Sequence, residues 1–347
     1  MNVAKRVTLQ DVAEVTGVSA KTVSNVVNNS GWVSDPVRKR VLEAIAQLGY
    51  QPNLAARQLR KGTSRVVALI LPTLREPYFA ELASSFVQQA RQMGVTVFIT
   101  ETNGSREQER DAIEGRTLPG IDAIACSPLA LKSEDLDRRR SKLPLILLGE
   151  YASTFNSENF WFQIGYDNAA AASVATRHLL RLGAKNIAVI GHQEDDSQAT
   201  SQLRYQGFLS AMKEVGLTPD PRLIGTVSSF NRREAALALD KIIESGVYFD
   251  GVLCFSDTIA LGTISVLASN DATRDRQIPI VGFDNIEDAK YAYPVFDTID
   301  PHMEIIAKTV LERLFANTEK SKYSPGQHIE TPFELIIRSV AKREGSL

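Results

Sequence analysis

The sequence predicts an α/β protein in two parts: a small all-α segment of three short helices, then two doubly wound parallel-sheet subdomains. Two observations predict it. Three helix-start signals, each followed by apolar residues at helical spacing, fill the first fifty positions. From Val66 onward, apolar runs of strand length alternate with amphipathic stretches, and the rhythm occurs twice, before about Gln163 and after about Ile164.

The first helix opens at Thr8, whose hydroxyl suits a cap, with Asp11 three residues on to close a capping box. Leu9, Val12, Ala13 and Val15 give it one apolar face, and Gly17 ends it, since glycine tolerates the left-handed turn. Ser19 caps a second helix from Ala20 to about Val27, burying Val23, Val26 and Val27. Ser34-Asp35-Pro36 starts a third, which runs through Val41, Leu42, Ile45 and Leu48 until Gly49. The first two helices, joined by about four residues containing Gly17, read as a helix-turn-helix. Its second helix exposes Ser19, Ala20, Lys21, Thr22, Ser24, Asn25 and Asn28, small, polar or cationic residues suited to base edges and phosphates.

Residues 51–63 read as a hinge. Pro52 and Asn53 are start signals, Ala55 and Ala56 favour helix, and Gly62 stops it. A helix of about two turns is marginal in water, so it forms only when something holds it.

In the body, strands are expected at 66–72, 95–100, 123–127, 145–149, 186–191, 251–256 and 278–283. Helices are expected over Phe79–Gln92, Ala169–Leu182, Arg204–Val215, Arg232–Glu244 and Thr258–Leu267. Ligands of such sheets bind outside the carboxyl ends of the strands. The segment Asn156–Gln163, with Phe160-Trp161-Phe162, lines the cleft or packs a crossover strand.

The chain of 347 residues is 44% hydrophobic, enough for several cores, with no apolar run of the roughly 20 residues a membrane helix needs. The amino end carries no secretory h-region, and the two cysteines, Cys126 and Cys254, fall in apolar strands rather than a disulfide framework. A cytoplasmic protein without membrane contact is expected. The net charge of -2 conceals an asymmetry: nine cations against four acids give residues 1–62 a charge of +5, leaving -7 elsewhere. A basic end on an acidic body suits a nucleic-acid-binding module on a sensor.

VTLQDVAEVTGVSAKTVSNVVNN, followed by VSDPVRKRVLEAIAQLGYQPN, resembles the headpiece of the lactose/galactose repressor (LacI/GalR) family, and the likeness runs along nearly the whole chain. The resemblance implies that Ser19–Val27 is a recognition helix with Ala20, Lys21 and Asn25 facing bases. Ser19, Thr22, Ser24 and Asn28 then mainly hold the DNA backbone, with Thr8, Leu9, Tyr50, Asn53 and Ala56 as further DNA contacts. It also implies that two hinges pair in the minor groove, where Leu59 wedges between base pairs and kinks the duplex. This sequence departs at Asn25, where many members carry arginine or histidine, and at Ala20, where some carry a larger polar reader.

The resemblance further implies a periplasmic-binding-protein-like effector domain over 64–347, with three crossings between its subdomains near 163, 296 and 324. The first subdomain then comprises about 64–163 and 296–323, the second about 164–295 and 324–347. Tyr78 corresponds to an aromatic wall of the family's pocket, Arg204 to a ligand-gripping arginine in Arg-x-x-Gly, and Phe230 to a stacking aromatic. Asp167, the pair Ser256-Asp257 and Asp284 match pocket loops, with Ser256 replacing the usual asparagine. Asp167 and Asp257 read more readily as helix caps than as ligand groups; Arg204 as a helix-face ion pair and Phe230 as core are the bland readings of those two, and Arg204 and Asp284 are taken as functional.

An enzyme is disfavoured: the four histidines (His178, His192, His302, His328) show no metal-ligand spacing, and there is no nucleophile elbow or dinucleotide fingerprint. No catalytic residue, metal or cofactor is expected. A transport-type sugar-binding protein would use the body alone and leave the headpiece without a purpose. The reading is a repressor of sugar-utilisation genes that binds a palindromic DNA operator as a homodimer, or a tetramer, and is switched allosterically by a small-molecule effector. A sugar is the first expectation for that effector, a nucleobase-like ligand or a protein partner the alternatives.

Overall fold

The computed structural model describes residues 7–50, 63–116, 118–149, 162–194, 199–315 and 327–338. The chain divides into two compact units, residues 1–64 and 65–347.

In the first unit, α1 (Leu9–Thr16), α2 (Ala20–Val27) and α3 (Asp35–Leu48) follow the sequence signals closely. Thr8 and Asp11 complete the capping box, the Thr8 amide reaching Asp11 Oδ2 at 2.6 Å and the Asp11 amide reaching Thr8 Oγ1 at 3.3 Å. Gly17 and Gly49 stop α1 and α3 at φ 66° and 62°, a conformation that a side chain would strain. Val12, Val23, Val26, Val41, Ala44 and Tyr50 form the core. Val15 and Leu42, read as apolar-face residues, are exposed instead, because three short helices bury only the narrow stripes that face one another.

The second unit contains two six-stranded sheets. The first strands and helices run β1 (Val66–Leu71), α4 (Pro77–Gln92), β2 (Thr96–Glu101), α5 (Arg106–Ile113), β3 (Ala123–Cys126), α6 (Ser133–Asp137), β4 (Leu145–Leu148) and β5 (Phe162–Gly165). Then come α7 (Asn168–Arg181), β6 (Ile187–His192), α8 (Ala199–Glu214), β7 (Ile224–Thr226), α9 (Arg232–Glu244), β8 (Gly251–Cys254) and α10 (Asp257–Ser269). The chain continues through β9 (Ile280–Phe283), α11 (Glu287–Lys290), β10 (Asp297–Asp300), α12 (Met303–Phe315), β11 (Gln327–Glu330) and β12 (Glu334–Ile336). The sheet orders are β11-β5-β4-β3-β1-β2 and β12-β10-β9-β8-β6-β7, parallel throughout except where β12 pairs antiparallel with β10.

The interior strands β1, β3, β4 and β8 are apolar and buried on both faces, as helices covering both sides require. One face of the first sheet packs Leu82, Phe86, Ile306 and Val310 of α4 and α12 against Leu69 and Ile146; the other takes Ile113 of α5. β2 is different. It forms an edge, and its apolar Phe98 and Ile99 face outward.

Sheet membership moves the expected crossings. Phe162–Gly165 pairs with β4 and β11, so the first lies at Tyr166-Asp167, just beyond Gln163. β10 pairs with β9, which places the second at Pro301-His302 rather than near 296. β11 pairs with β5 while β12 pairs with β10, so the third lies at 331–333 rather than near 324. Phe162 is a buried core residue of β5, and the rest of the segment from Asn156 lies outside the described residues. Cys126 and Cys254 are buried free thiols on β3 and β8. No helix among the described residues is long and apolar enough to cross a membrane.

Candidate effector cleft and DNA-reading helix

A cleft of about 450 Å³ opens at the carboxyl ends of both sheets' strands. The first subdomain contributes the loop after β1 with Tyr78 and Phe79 of α4, and Ser127-Pro128-Leu129 after β3. The second contributes Tyr166, Asn168, Gln193, Arg204, Phe230, Ser256 and Asp284. A volume of this size, with aromatic faces and a few convergent polar groups, is that of a small-molecule site.

Arg204 anchors the second wall and is only 4% exposed. Its Nε donates to Asn168 Oδ1 at 2.7 Å, Nη2 to the Tyr166 hydroxyl at 2.6 Å, and Nη1 to the Phe255 carbonyl. The guanidinium lies 4.1 Å over the Phe283 ring, with Asp284 Oδ1 at 4.0 Å. It is therefore no helix-face ion pair: three neutral acceptors fix its plane at the cleft wall. Three residues along α8, a side-chain carbon on Gly207 would lie 2.1 Å from the Ala169 carbonyl oxygen. The glycine of Arg-x-x-Gly lets α8 approach α7 closely enough for Arg204 to reach Asn168.

Asp284 lines the cleft at φ 105°, 6% exposed, and burial pushes its carboxyl up to about 6 against the pull of Arg204. Asp257 has another task. It lies outside the cleft lining and is fully buried, its Oδ1 accepting from the Thr298 hydroxyl at 2.6 Å and its Oδ2 from the Ile286 amide at 3.1 Å. Burial raises its pKa well above the carboxylate range, and Asp284 raises it further. These bonds tie the turn that carries Asp284 to the head of α10. The cap of α10 is Ser256, whose hydroxyl accepts from the Ile259 amide at 3.1 Å. Asp167 likewise caps α7, accepting from the Ala170 amide at 2.8 Å, and does not line the cleft. Phe230 does line it, while also packing on the second subdomain's cores. Burial raises the Tyr78 hydroxyl above its ordinary range.

Sequence reasoning passed over Glu76. It lines the cleft from the first subdomain and accepts a bond from the Thr258 hydroxyl of the second. Burial pushes its carboxyl up to about 7, the Thr258 bond opposing and Asp284 reinforcing the shift. Five residues on, Glu81 accepts from the Glu287 amide at 2.8 Å, a second bond across the subdomains. No local pattern marks either carboxylate, and only the fold brings them to the opposite wall.

On α2, Ser19 is the N-cap, its Oγ accepting from the Thr22 amide at 3.1 Å and lying 2.9 Å from Thr22 Oγ1. Lys21 is exposed, and Ala20 and Leu9 pack partly against the headpiece core. Asn28 Nδ2 donates to the Ser24 carbonyl at 2.7 Å and Ser24 Oγ at 3.1 Å, closing the helix. Tyr50 is 9% exposed and belongs to the headpiece core. Asn53, Ala56 and Leu59 lie outside the described residues.

Residues 8–53 match the family model of bacterial regulatory proteins of the lacI family, and residues 64–331 match that of periplasmic binding proteins and the sugar binding domain of the LacI family. The chain belongs to the LacI family. Among LacI-family relatives it is 31% identical over 344 residues to the HTH-type transcriptional repressor PurR of Actinobacillus pleuropneumoniae serotype 3, covering 95% of this chain and 97% of that one. A transcriptional regulator of the LacI family from Sanguibacter keddieii is 28% identical, with a TM-score of 0.68 over 79% of this chain and 97% of that one. The Lac repressor dimer bound to operator and the anti-inducer ONPF shares the fold, with a TM-score of 0.83 at 23% identity over 96% and 99% of the two chains. This LacI-family protein is thus a DNA-binding transcriptional repressor, and its family consists of regulators rather than enzymes. Among the described residues no three His, Cys, Asp or Glu side chains gather to hold a metal ion.

Proposed function

We propose that this repressor binds a pseudo-palindromic operator as a homodimer and that a small polar effector in the cleft switches its affinity. Each α2 would enter one major groove, with Lys21 and Asn25 toward base edges and Ser19, Thr22, Ser24 and Asn28 toward the backbone. Leu59 would wedge the minor groove from the hinge. Reading chromosomal DNA would place the protein in the cytoplasm.

The observation that carries the effector reading is Asp284, a buried acceptor facing the cleft beside a guanidinium already engaged by Asn168, Tyr166 and Phe255. An effector must then supply donors to Asp284 and offer a face to Tyr78 and Phe230, which a sugar does with its hydroxyls and C–H face. The edge-to-face pair Tyr78 and Phe79, 5.1 Å between centroids, favours a second reading, a planar nucleobase-like ligand with N–H donors.

Selection of bound duplexes from a random pool, with and without panels of sugars and of nucleobases, tests the proposal. One compound class should change the yield of one palindromic sequence. Arg204→Ala should abolish that response while leaving DNA affinity without effector intact. An unaltered response in the variant removes Arg204 from effector recognition, and no sequence preference under any condition sinks the operator reading.

A further inference from the structure

Two carboxyls of the first subdomain bridge to the second. Glu76 and Glu81 stand at the head of α4; Glu76 accepts from the Thr258 hydroxyl on α10, and Glu81 from the Glu287 amide on α11 at 2.8 Å. Between them, Tyr78 packs on the cores of both subdomains. Parting the subdomains breaks all three contacts and returns both carboxyls to water. The charges around Glu76 support it poorly as an anion. Facing it from the second subdomain are Asp284, a carboxyl like itself, and Arg232, whose Nη2 already pairs with Asp288 Oδ2 at 2.7 Å. Asp257, next to Thr258, is engaged by Thr298 and Ile286. Arg75 on its own loop is exposed, and among the described residues no cation bonds Glu76. Glu81 is placed differently, facing Glu287, Asp288 and Lys290, with the Lys290 ammonium paired to Glu287 at 2.8 Å.

We propose that closure of the cleft is proton-linked through Glu76: the neutral acid fits the bridged form and the carboxylate the open one, so acidification alone favours closure. As regulation of the effector cleft this rests on the reading of that cleft given above; as a property of the fold it does not. A carboxylate withdrawn from water loses solvation that one neutral hydroxyl does not restore, and Asp284 adds repulsion. The neutral acid avoids both penalties and keeps the Thr258 bond, its carbonyl oxygen accepting. Burial raises Glu81 as well, but the Glu287 amide and Lys290 oppose the shift, so Glu76 carries most of the linkage. Asp284 keeps Arg204 beside it at 4.0 Å within its own subdomain, which ties its proton less to closure. The bridged form holds a proton that the open form releases, so the closed-to-open ratio rises as pH falls. With the carboxyl at about 7 when bridged and at the ordinary 4.5 when open, that ratio rises roughly 25-fold from pH 8 to pH 5.5.

The Glu287 amide, donating across the gap, reports closure. Hydrogen–deuterium exchange of the full chain without effector, read on peptides spanning Glu287 and divided by the intrinsic exchange rate at each pH, measures it. Protection there should rise by about 10- to 25-fold from pH 8 to pH 5.5. Glu76→Gln, which imitates the neutral acid, should show at pH 8 nearly the protection that the wild type reaches at pH 5.5. Glu81→Gln should keep most of the slope. Peptides from β8 in the sheet interior, which open only with the whole fold, give the baseline for global stability. An equal slope in wild type and Glu76→Gln overturns the proposal. So does a slope that survives Glu76→Gln and vanishes in Asp284→Asn, which would assign the proton to Asp284. Fast exchange at both pH values, meaning that the edge stands open, overturns it as well. Binding of no compound from the sugar and nucleobase panels would instead remove the effector reading and leave the exchange result standing.

Discussion

Gly207→Ala links helix packing to the effector wall. The added carbon would lie 2.1 Å from the Ala169 carbonyl oxygen, 2.9 Å from its carbon and 3.0 Å from Ala172 Cβ. Two of these atoms are backbone, so no rotamer change relieves the clash and α7 and α8 must separate by about 1 Å to restore ordinary contact. Overpacking of this kind costs about 1–3 kcal/mol. The separation also stretches the 2.7 Å bond from Arg204 on α8 to Asn168 on α7, a charge-assisted bond with a net worth of about 1.5–3 kcal/mol. Because these terms share one displacement they do not simply add, and a total of about 2–4 kcal/mol is expected. For a body of this size that lowers the melting temperature by roughly 3–7 °C. Differential scanning calorimetry of the full chain measures it, and the effector response should weaken with it. Ala172→Gly should not rescue the variant, since the backbone contact persists. A Gly207→Ala protein melting within about 2 °C of wild type would refute the account of why Arg-x-x-Gly carries a glycine.

The carboxyls of Glu76 and Asp284 are raised by burial to about 7 and about 6, from ordinary values of 4.5 and 3.8. Their folded forms hold protons that the unfolded chain has released, so their stabilisation is complete below about pH 4 and is lost as pH rises through 6 and 7. The melting temperature should therefore fall between pH 5 and 8, and Glu76→Gln should flatten that slope; an equal slope in the variant counts against the assignment. Asp257→Ala leaves the Thr298 hydroxyl and the Ile286 amide buried without their acceptor and should cost about 2–4 kcal/mol in chemical denaturation. Asp257→Asn, matching the protonated acid in shape, should cost less than half as much, and equal losses would mean that charge rather than hydrogen bonding holds the turn.

The headpiece was almost fully legible because its signals are local. Thr8, Gly17, Ser19 and Gly49 act through bonds and dihedrals within their own turns, and each marks the end it predicts. The apolar strands of the sheet interiors were legible for a similar reason, since burial on both faces leaves no polar residue to confuse the run. What escaped was polar or short. β10, Asp297-Thr298-Ile299-Asp300, buries an aspartate and a threonine that the rest of the fold satisfies, so its composition reads as a loop. α5 is largely charged, with Glu109 buried under the amides of Leu129, Ala130 and Leu131, bonds no local pattern announces. In the cleft, Arg204, Phe230 and Asp284 were readable through the family resemblance, whereas Glu76 depends on Thr258, 182 positions away. Asp167 and Asp257 show the limit of motif transfer: the same residue type serves as a cap, a tie or a ligand group, and only its neighbours decide.

The last passage between the subdomains has a mechanical consequence. β11 is hydrogen-bonded into one sheet and β12 into the other, with Thr331, Pro332 and Phe333 alone between them and the Thr331 amide tethered to the Gly165 carbonyl at 2.9 Å. Three extended residues reach about 10 Å, and sliding either ladder by one residue would take about 3.3 Å of that reach. A strap so short transmits tension rather than absorbing it. The halves of the body can swivel about this strip, but a lateral glide of more than one residue would unzip an edge strand.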